Sequence, residues 1–301
     1  MSLTAIGPDQ DGPWSGFSIT LTGDAKGDVA QIAESTRRRL QDSTLLAYEP
    51  AVLIPPQHWM HVSEAEAATL ATVESTVHTQ DVKPFNGNAD YASKVRMVAA
   101  HFTTESHQSV TFYRVADSML QLKKARVVGL VRQGDVYGRL EPADVLLLRN
   151  NFDVIVIDGF AFFAKKPTFE RAFGFVEKLQ RESQATFRAV TTRLRIQGLA
   201  ELEKACTSQP QMMAKMASIK RSMDADSAYA EAMTMDRLIA YIEGHPHVHV
   251  EVVGSGADRQ LVFDPKPARR FQILKLLDDD FLHSMLTERD YEAGSKVPSS
   301  S

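Results

Sequence analysis

The chain has 301 residues, of which 44% are hydrophobic, and a formal net charge of −4. A chain of this length and composition can form a substantial buried core, and its length suggests two domains. No apolar run approaches the roughly 18 residues that would span a membrane. Residues 1–16 are rich in Gly, Pro and Asp and lack the basic and apolar regions of a signal peptide, so we expect a flexible N-terminus. The single cysteine, Cys206, excludes a disulfide framework. We therefore expect a soluble cytoplasmic protein.

The first half of the chain is predicted to contain mostly strands. Two helices interrupt it, one capped by Asp28 and one opened by the capping-box pattern of residues 63–66, with a loop around Asn86 and Gly87. The alternation of apolar and polar residues indicates a largely antiparallel, meandering sheet within residues 94–164. Its predicted strands cover residues 94–103, 109–116, 126–131, 136–139, 145–148, 154–157 and 160–164.

The segment 152–195 shows the clearest pattern. Val154–Ile157 is a β-branched run typical of a buried strand, and Asp158-Gly159 favours a tight hairpin turn. After the return strand, Pro167 is suited to the first turn of a helix. Apolar residues then recur at helical spacing and predict one long helix that buries Phe169, Phe173, Val176, Leu179, Thr186, Val190 and Leu194.

The remainder of the chain is predicted to be mainly helical, with helices over 198–205, from Pro210, over 226–243 and over 268–277. Residues 247–253 and 260–263 predict a β-hairpin. Along the helix from Pro210, Met212, Met216, Ile219 and Met223 should face inward, with Lys215, Lys220 and Arg221 elsewhere. The sequence thus predicts an α+β protein. An N-terminal lobe of residues 1–165 contains the antiparallel sheet, and a mostly helical lobe of residues 166–301 contains the hairpin.

The charge is unevenly distributed. Residues 160–223 contain twelve Lys or Arg and five Glu, a surplus of seven positive charges, so the rest of the chain carries −11. A basic block on an acidic protein suggests an anionic partner such as DNA, although a solvated helical surface is an alternative. The candidate DNA-binding residues are Lys178, Arg181, Arg188, Arg193, Arg195, Lys215, Lys220 and Arg221.

Motifs for catalysis are absent from the sequence. It has no Gly-x4-Gly-Lys-Ser/Thr phosphate loop, no dinucleotide fingerprint and no Gly-x-Ser-x-Gly elbow. We expect no cofactor, no metal and no enzymatic activity. The alternative is a metal-dependent nuclease that uses Asp158 or the cluster 278–280, and His247 with His249 is a further, less complete metal pattern.

The order of several motifs resembles a known family. A hydrophobic strand ending in Asp158 is followed by an aromatic return strand and Lys165-Lys166, and the chain later contains Leu261-Val-Phe-Asp264 and Ile273-Leu-Lys-Leu-Leu277. Over residues 94–297 this order resembles the KwaB component of the Kiwa anti-phage defence system.

The resemblance implies a homodimeric effector that binds double-stranded phage DNA. It also implies a membrane protein, KwaA, as the partner that holds the effector at the inner face of the membrane. It carries over no catalytic residue. A further alternative is an adaptor whose basic face, or whose Met-rich helix 212–223, docks on the partner.

Overall fold

The computed structural model describes residues 1–8, 14–63, 66, 68–78, 83–85, 95–103, 108–115, 129–133, 136–140, 148–284 and 289–292. The fold of these residues is α+β, as predicted. They divide into two units, the first formed by residues 1–48 and 54–175 and the second by residues 49–53 and 176–301.

The first unit is built on a mixed, mostly antiparallel sheet. Within the described residues it has nine strands in the order β3-β4-β11-β10-β7-β6-β1-β2-β5, and only the β3–β4 and β2–β5 pairs are parallel. The strands are β1 Ser2–Pro8, β2 Trp14–Ile19, β3 Thr44–Ala47, β4 His58–Ser63, β5 Lys83–Pro84, β6 Met97–Thr103, β7 Ser109–Val115, β10 Val154–Ile157 and β11 Phe160–Phe163. The strands β8 Gly129–Gln133 and β9 Val136–Leu140 pair with each other.

The predicted hairpin of β10 and β11 is confirmed. Val154 pairs with Phe163, and the turn places Asp158 and Gly159 at φ 52° and 75°. Both residues of a type I′ turn need positive φ, which Asp and Gly tolerate better than most residues. The β6–β7 pair is also confirmed, with Met97 opposite Val115.

The N-terminus departs from the prediction of a flexible segment. β1 lies inside the sheet, hydrogen-bonded to β2 on one side and β6 on the other. Its residues alternate between the two faces, and Leu3, Ala5 and Ile6 are buried. Two partner strands satisfy its backbone groups, and one of them, β6, comes from residues distant in the sequence.

Helices cover both faces of the sheet. Helix α1, Gly23–Gln41, buries Val29 and Ala33 in a cluster with Trp59, Phe112 and Ile155. Helices α2, Ala68–His78, and α3, Lys166–Ala172, are the other α-helices that lie wholly within the described residues of this unit. The ring of Phe169 in α3 stacks on Phe163 with centroids 3.9 Å apart.

The prediction of one continuous helix over 167–195 is wrong. The structure has two helices, α3 and α4, the second spanning Phe175–Thr191. Between them Gly174 adopts φ 69°, a left-handed conformation that interrupts a right-handed helix. The predicted buried positions are nevertheless confirmed from Phe169 to Leu194, except that Val176 is only partly buried.

The second unit is mainly helical, as predicted. The helices after α4 are α5 Leu199–Ser208, α6 Pro210–Ala225, α7 Ser227–Ala232, α8 Met235–Gly244 and α9 Gln272–Leu277. The predicted helix over 226–243 is two helices in the structure, although Asp226 does cap the first by accepting a hydrogen bond from the Ala228 amide. The helix predicted from residue 268 begins at Gln272.

The predicted hairpin of this unit is confirmed and gains a strand. β13 Glu251–Val253 pairs antiparallel with β14 Gln260–Val262, and β12 Ile196–Gln197 adds in parallel to β14. A further hairpin joins β15 Phe281–Ser284 and β16 Arg289–Glu292. Met212, Met216 and Ile219 lie in the core of the unit, so the inward placement of these residues is confirmed and the Met-rich helix is not a free docking face.

Three sequence predictions lie outside the described residues: Glu64 and Ala65 of the capping box, the loop around Asn86 and Gly87, and most of the strand 145–148. In the parts of the chain that the structure describes, no helix combines the length and apolarity needed to cross a membrane.

Candidate nucleic-acid interface

Helix α4 carries an exposed basic stripe. Arg181 and Arg188 are seven residues apart, which is two helical turns or about 10 Å along one side of a helix. Both are exposed, whereas Leu179, Phe187 and Val190 face the core. Neither arginine forms an ion pair in the described portion of the chain. The two positive charges are therefore available to an external anion.

Two further arginines follow the helix and are held by neutral groups. The Arg193 guanidinium donates to the Ala230 carbonyl oxygen at 2.5 Å, and Nε of Arg195 donates to the Arg259 carbonyl oxygen at 3.2 Å. Both side chains are exposed. Because a carbonyl carries no net charge, each guanidinium is oriented yet keeps its full positive charge. Oriented cations lose less side-chain entropy when they bind a phosphate.

Three other predicted contacts are paired with carboxylates. Lys178 lies 3.9 Å from Glu182, Lys220 lies 2.5 Å from Asp224, and Arg221 lies 3.4 Å from Glu49. An internal partner reduces the net charge that each cation presents to DNA. The structure thus separates the eight predicted residues into four unpaired arginines and four paired cations, the fourth being Lys215.

The expectation that Lys215 lies away from the buried face of its helix is wrong. Its side chain is 11% exposed, and Nζ donates to Asp278 at 2.6 Å and Asp280 at 2.5 Å. Burial disfavours the ammonium, but the hydrogen bonds to the two carboxylates outweigh it and raise the pKa of Lys215. This lysine is mostly buried, and its charge is compensated by two carboxylates of the same unit.

A second basic group was not predicted from the sequence. The turn that follows β14 contains Lys266, Arg269 and Arg270, and Lys204 lies near the end of α5. None of these four forms an ion pair within the described ranges. For three of them the signal was Lys-Pro-Ala-Arg-Arg at 266–270, which lies beyond the basic block of residues 160–223. Lys204 lies inside that block but was not among the candidate residues.

The residues considered for metal chemistry have other contacts. Asp158 lies in the hairpin turn and accepts a hydrogen bond from Gln108 at 2.8 Å. Asp278 and Asp280 hold Lys215, and Asp278 also accepts from the Ser218 hydroxyl at 3.1 Å. Among the residues that the structure describes, no three His, Cys, Asp or Glu side chains are placed to hold a metal ion.

These features define an α+β protein whose helical unit carries basic residues with no acidic partner in the described part of the chain. The model of the family described as "Kiwa protein KwaB-like" matches residues 93–287. The chain therefore belongs to the KwaB family, the family of the Kiwa anti-phage defence component, and the resemblance noted in the sequence is confirmed. Comparison with curated proteins and with solved structures gave no match.

Proposed function

We propose that this protein is a defence effector that binds double-stranded phage DNA without cleaving it, and blocks replication or expression of that DNA. The observation that supports this proposal is the set of four exposed arginines, Arg181, Arg188, Arg193 and Arg195, that lack acidic partners in the described structure. Arginine binds phosphate through two parallel hydrogen bonds and remains charged at any physiological pH.

Binding of this kind would be largely independent of sequence. Phosphate contacts position a protein on DNA but do not identify bases, and their affinity falls with salt because bound cations are released. The acidic remainder of the chain, at −11 outside residues 160–223, would restrict the contact to the basic region.

The test is a fluorescence anisotropy titration of a labelled duplex at about 50 and 200 mM salt, the range over which phosphate contacts change affinity most clearly. The variant Arg181→Gln with Arg188→Gln should bind more weakly. The slope of log affinity against log salt is negative, and in this variant its magnitude should decrease by about two, since each phosphate contact contributes about one. The matched control is Lys178→Gln with Lys220→Gln, which removes the same charge from paired lysines and should retain most of the affinity and slope.

Equal losses in the two double variants would remove helix α4 from the interface. The same titration is repeated with Mg²⁺ and the DNA is then examined on a gel. Intact DNA is expected. Cutting that requires Mg²⁺ would instead support the nuclease alternative, with Asp158→Ala as the next variant.

We also propose that the protein is a homodimer that KwaA recruits to the inner face of the membrane. Membership of the KwaB family supports this partnership. Copurification of KwaA with the tagged chain from detergent-solubilised membranes tests the partnership, and light scattering during gel filtration tests the dimer. Recovery of the KwaA complex from a chain that has no DNA affinity would favour the adaptor alternative.

A further inference from the structure

A small cavity lies where helix α5 ends, helix α6 begins and the turn after β14 passes. Its volume is about 160 Å³, below the range of about 300–1,000 Å³ typical of sites for drug-sized ligands. Lys204, Gln209 and Arg270 line it together with Glu201, and Phe263 contributes an apolar wall. The cavity therefore has the size of a site for a small polar group and is lined by two cations.

Arg270 lines this cavity, and its side chain has no hydrogen-bond acceptor among the described residues. Its Nε is buried, and the guanidinium carbon lies 5.1 Å from the centroid of the Phe271 ring. In the described structure, neither Arg270 nor Lys204 has an acidic partner within 4.0 Å. Both residues line the cavity, so an anion there would be an acceptor for donors of the guanidinium and the ammonium.

The beginning of helix α6 adds positive potential at the same place. Gln209, the residue before the first turn, lines the cavity, and its side chain makes no capping hydrogen bond. Pro210 follows at the first helical position, where the absence of an amide hydrogen costs little. The dipole of this 16-residue helix, whose N-cap residue lines the cavity, favours an anion there.

We propose that this cavity binds a phosphate group, held by Arg270 and Lys204 at the start of α6. A tetrahedral phosphate offers several acceptor oxygens, which suits one planar guanidinium, one ammonium and a helix end. Glu201, exposed on the rim, opposes the anion and limits its affinity. It also lies in the first turn of α5, where a carboxylate is favourable for that helix. This site is separate from the four arginines proposed to bind duplex DNA.

The test is isothermal titration of the full chain with inorganic phosphate, against chloride at matched ionic strength. Arg270→Gln and Lys204→Gln should each raise the dissociation constant about ten-fold or more, the effect of one charge-assisted hydrogen bond. Arg269→Gln is the matched control, because it removes the same charge from the neighbouring position, which does not line the cavity. It should leave the dissociation constant within about two-fold, as expected for a remote, screened charge.

Two further variants protect the test against misfolding. Glu201→Gln changes an exposed residue and should tighten phosphate binding, a gain that an unfolded protein cannot produce. Arg270→Lys keeps the charge and should retain part of the affinity. The proposal fails if phosphate gives no saturable heat at millimolar concentration, or if Arg269→Gln weakens binding as much as Arg270→Gln.

The same titration distinguishes two sources of the phosphate. A dinucleotide with a 5′-phosphate is compared with the same dinucleotide that lacks it. Tighter binding of the phosphorylated dinucleotide than of inorganic phosphate indicates a nucleic-acid end or a nucleotide. Equal binding indicates free phosphate, and both results support the site. Loss of duplex binding in Arg181→Gln with Arg188→Gln, with phosphate binding unchanged, would show that the two sites are independent.

Discussion

Replacement of Lys215 by Met should destabilise the second unit strongly. The ammonium lies 2.6 Å and 2.5 Å from the carboxylates of Asp278 and Asp280, whose side chains are 5% and 0% exposed. Removing one member of a buried ion pair costs about 3–5 kcal/mol because the remaining charge is buried without compensation. Here two like charges remain, so we expect the upper part of that range, a large fraction of a typical folding free energy of about 5–15 kcal/mol.

The matched control lies one and a half turns along the same helix. Lys220 is also 2.5 Å from its partner, Asp224, but the two side chains are 38% and 63% exposed. An exposed pair of this kind contributes about 0–1 kcal/mol, so Lys220→Met should change the free energy of unfolding by no more than that. The two variants make the same chemical change at the same distance, and only burial differs.

The assay is urea denaturation followed by far-UV circular dichroism. Replacing both aspartates by Asn in the Lys215→Met background should restore part of the lost stability. If Lys215→Met costs no more than Lys220→Met, the assignment of the ion triad as a buried stabilising element is wrong.

Two further predictions concern the first unit. Gly174→Ala should lower the free energy of unfolding by about 1–2 kcal/mol or more, because an L-residue is strained in the left-handed region and the new Cβ would lie 2.9 Å from Oγ1 of Thr69. The control Gly27→Ala lies in helix α1, where the new Cβ would have no heavy atom within 4 Å, and it should raise the free energy of unfolding by about 0.5–1 kcal/mol. Thermal melts of both variants measure the two effects. The pKa of His101 is lowered from 6.5 by burial, by the neighbouring His78 and by the N-terminal amine. Because the unfolded chain then binds a proton more readily than the folded state, the folded state loses stability as the pH falls below 6.5. The Thr111 hydroxyl contacts His101, and the Tyr113 hydroxyl donates to the nearby Glu74. Burial raises the pKa of Glu74, so this carboxyl disfavours the folded state as the pH rises above 4.5 and opposes the dependence of stability on pH that His101 produces. His101→Gln should therefore flatten the acid side of the curve of unfolding free energy against pH, and an unchanged slope would assign it to another group.

Much of the fold could be predicted from local pattern. The β-branched run at Val154 and the Asp158-Gly159 turn predicted the central hairpin, since period-two alternation and positive φ are local properties. Helical spacing likewise predicted the buried positions from Phe169 to Leu194. The break at Gly174 was not predicted, because the apolar spacing continues through it and one glycine in a helical pattern is tolerated.

The candidate interface was only half determined by sequence. A count of charges identifies a basic segment, but it does not reveal which cations already have internal partners. Arg188 and Lys215 look alike in the sequence, yet one is exposed and the other is buried between two aspartates 63 and 65 residues away. Arg270 was not predicted as a site residue because it lines a cavity formed by two segments, residues 201–209 and 263–270, that are distant in the sequence.

The sequence by itself determined the family, the α+β class, the hairpin turns and the amphipathic faces, because each is set by residue types at short spacing. The tertiary structure decided that β1 lies inside the sheet, that Lys215 is paired with two aspartates and that Arg270 has no acceptor among the residues the structure describes. Each of these depends on groups brought together from distant parts of the chain, where burial and charge compensation, rather than local pattern, fix the outcome.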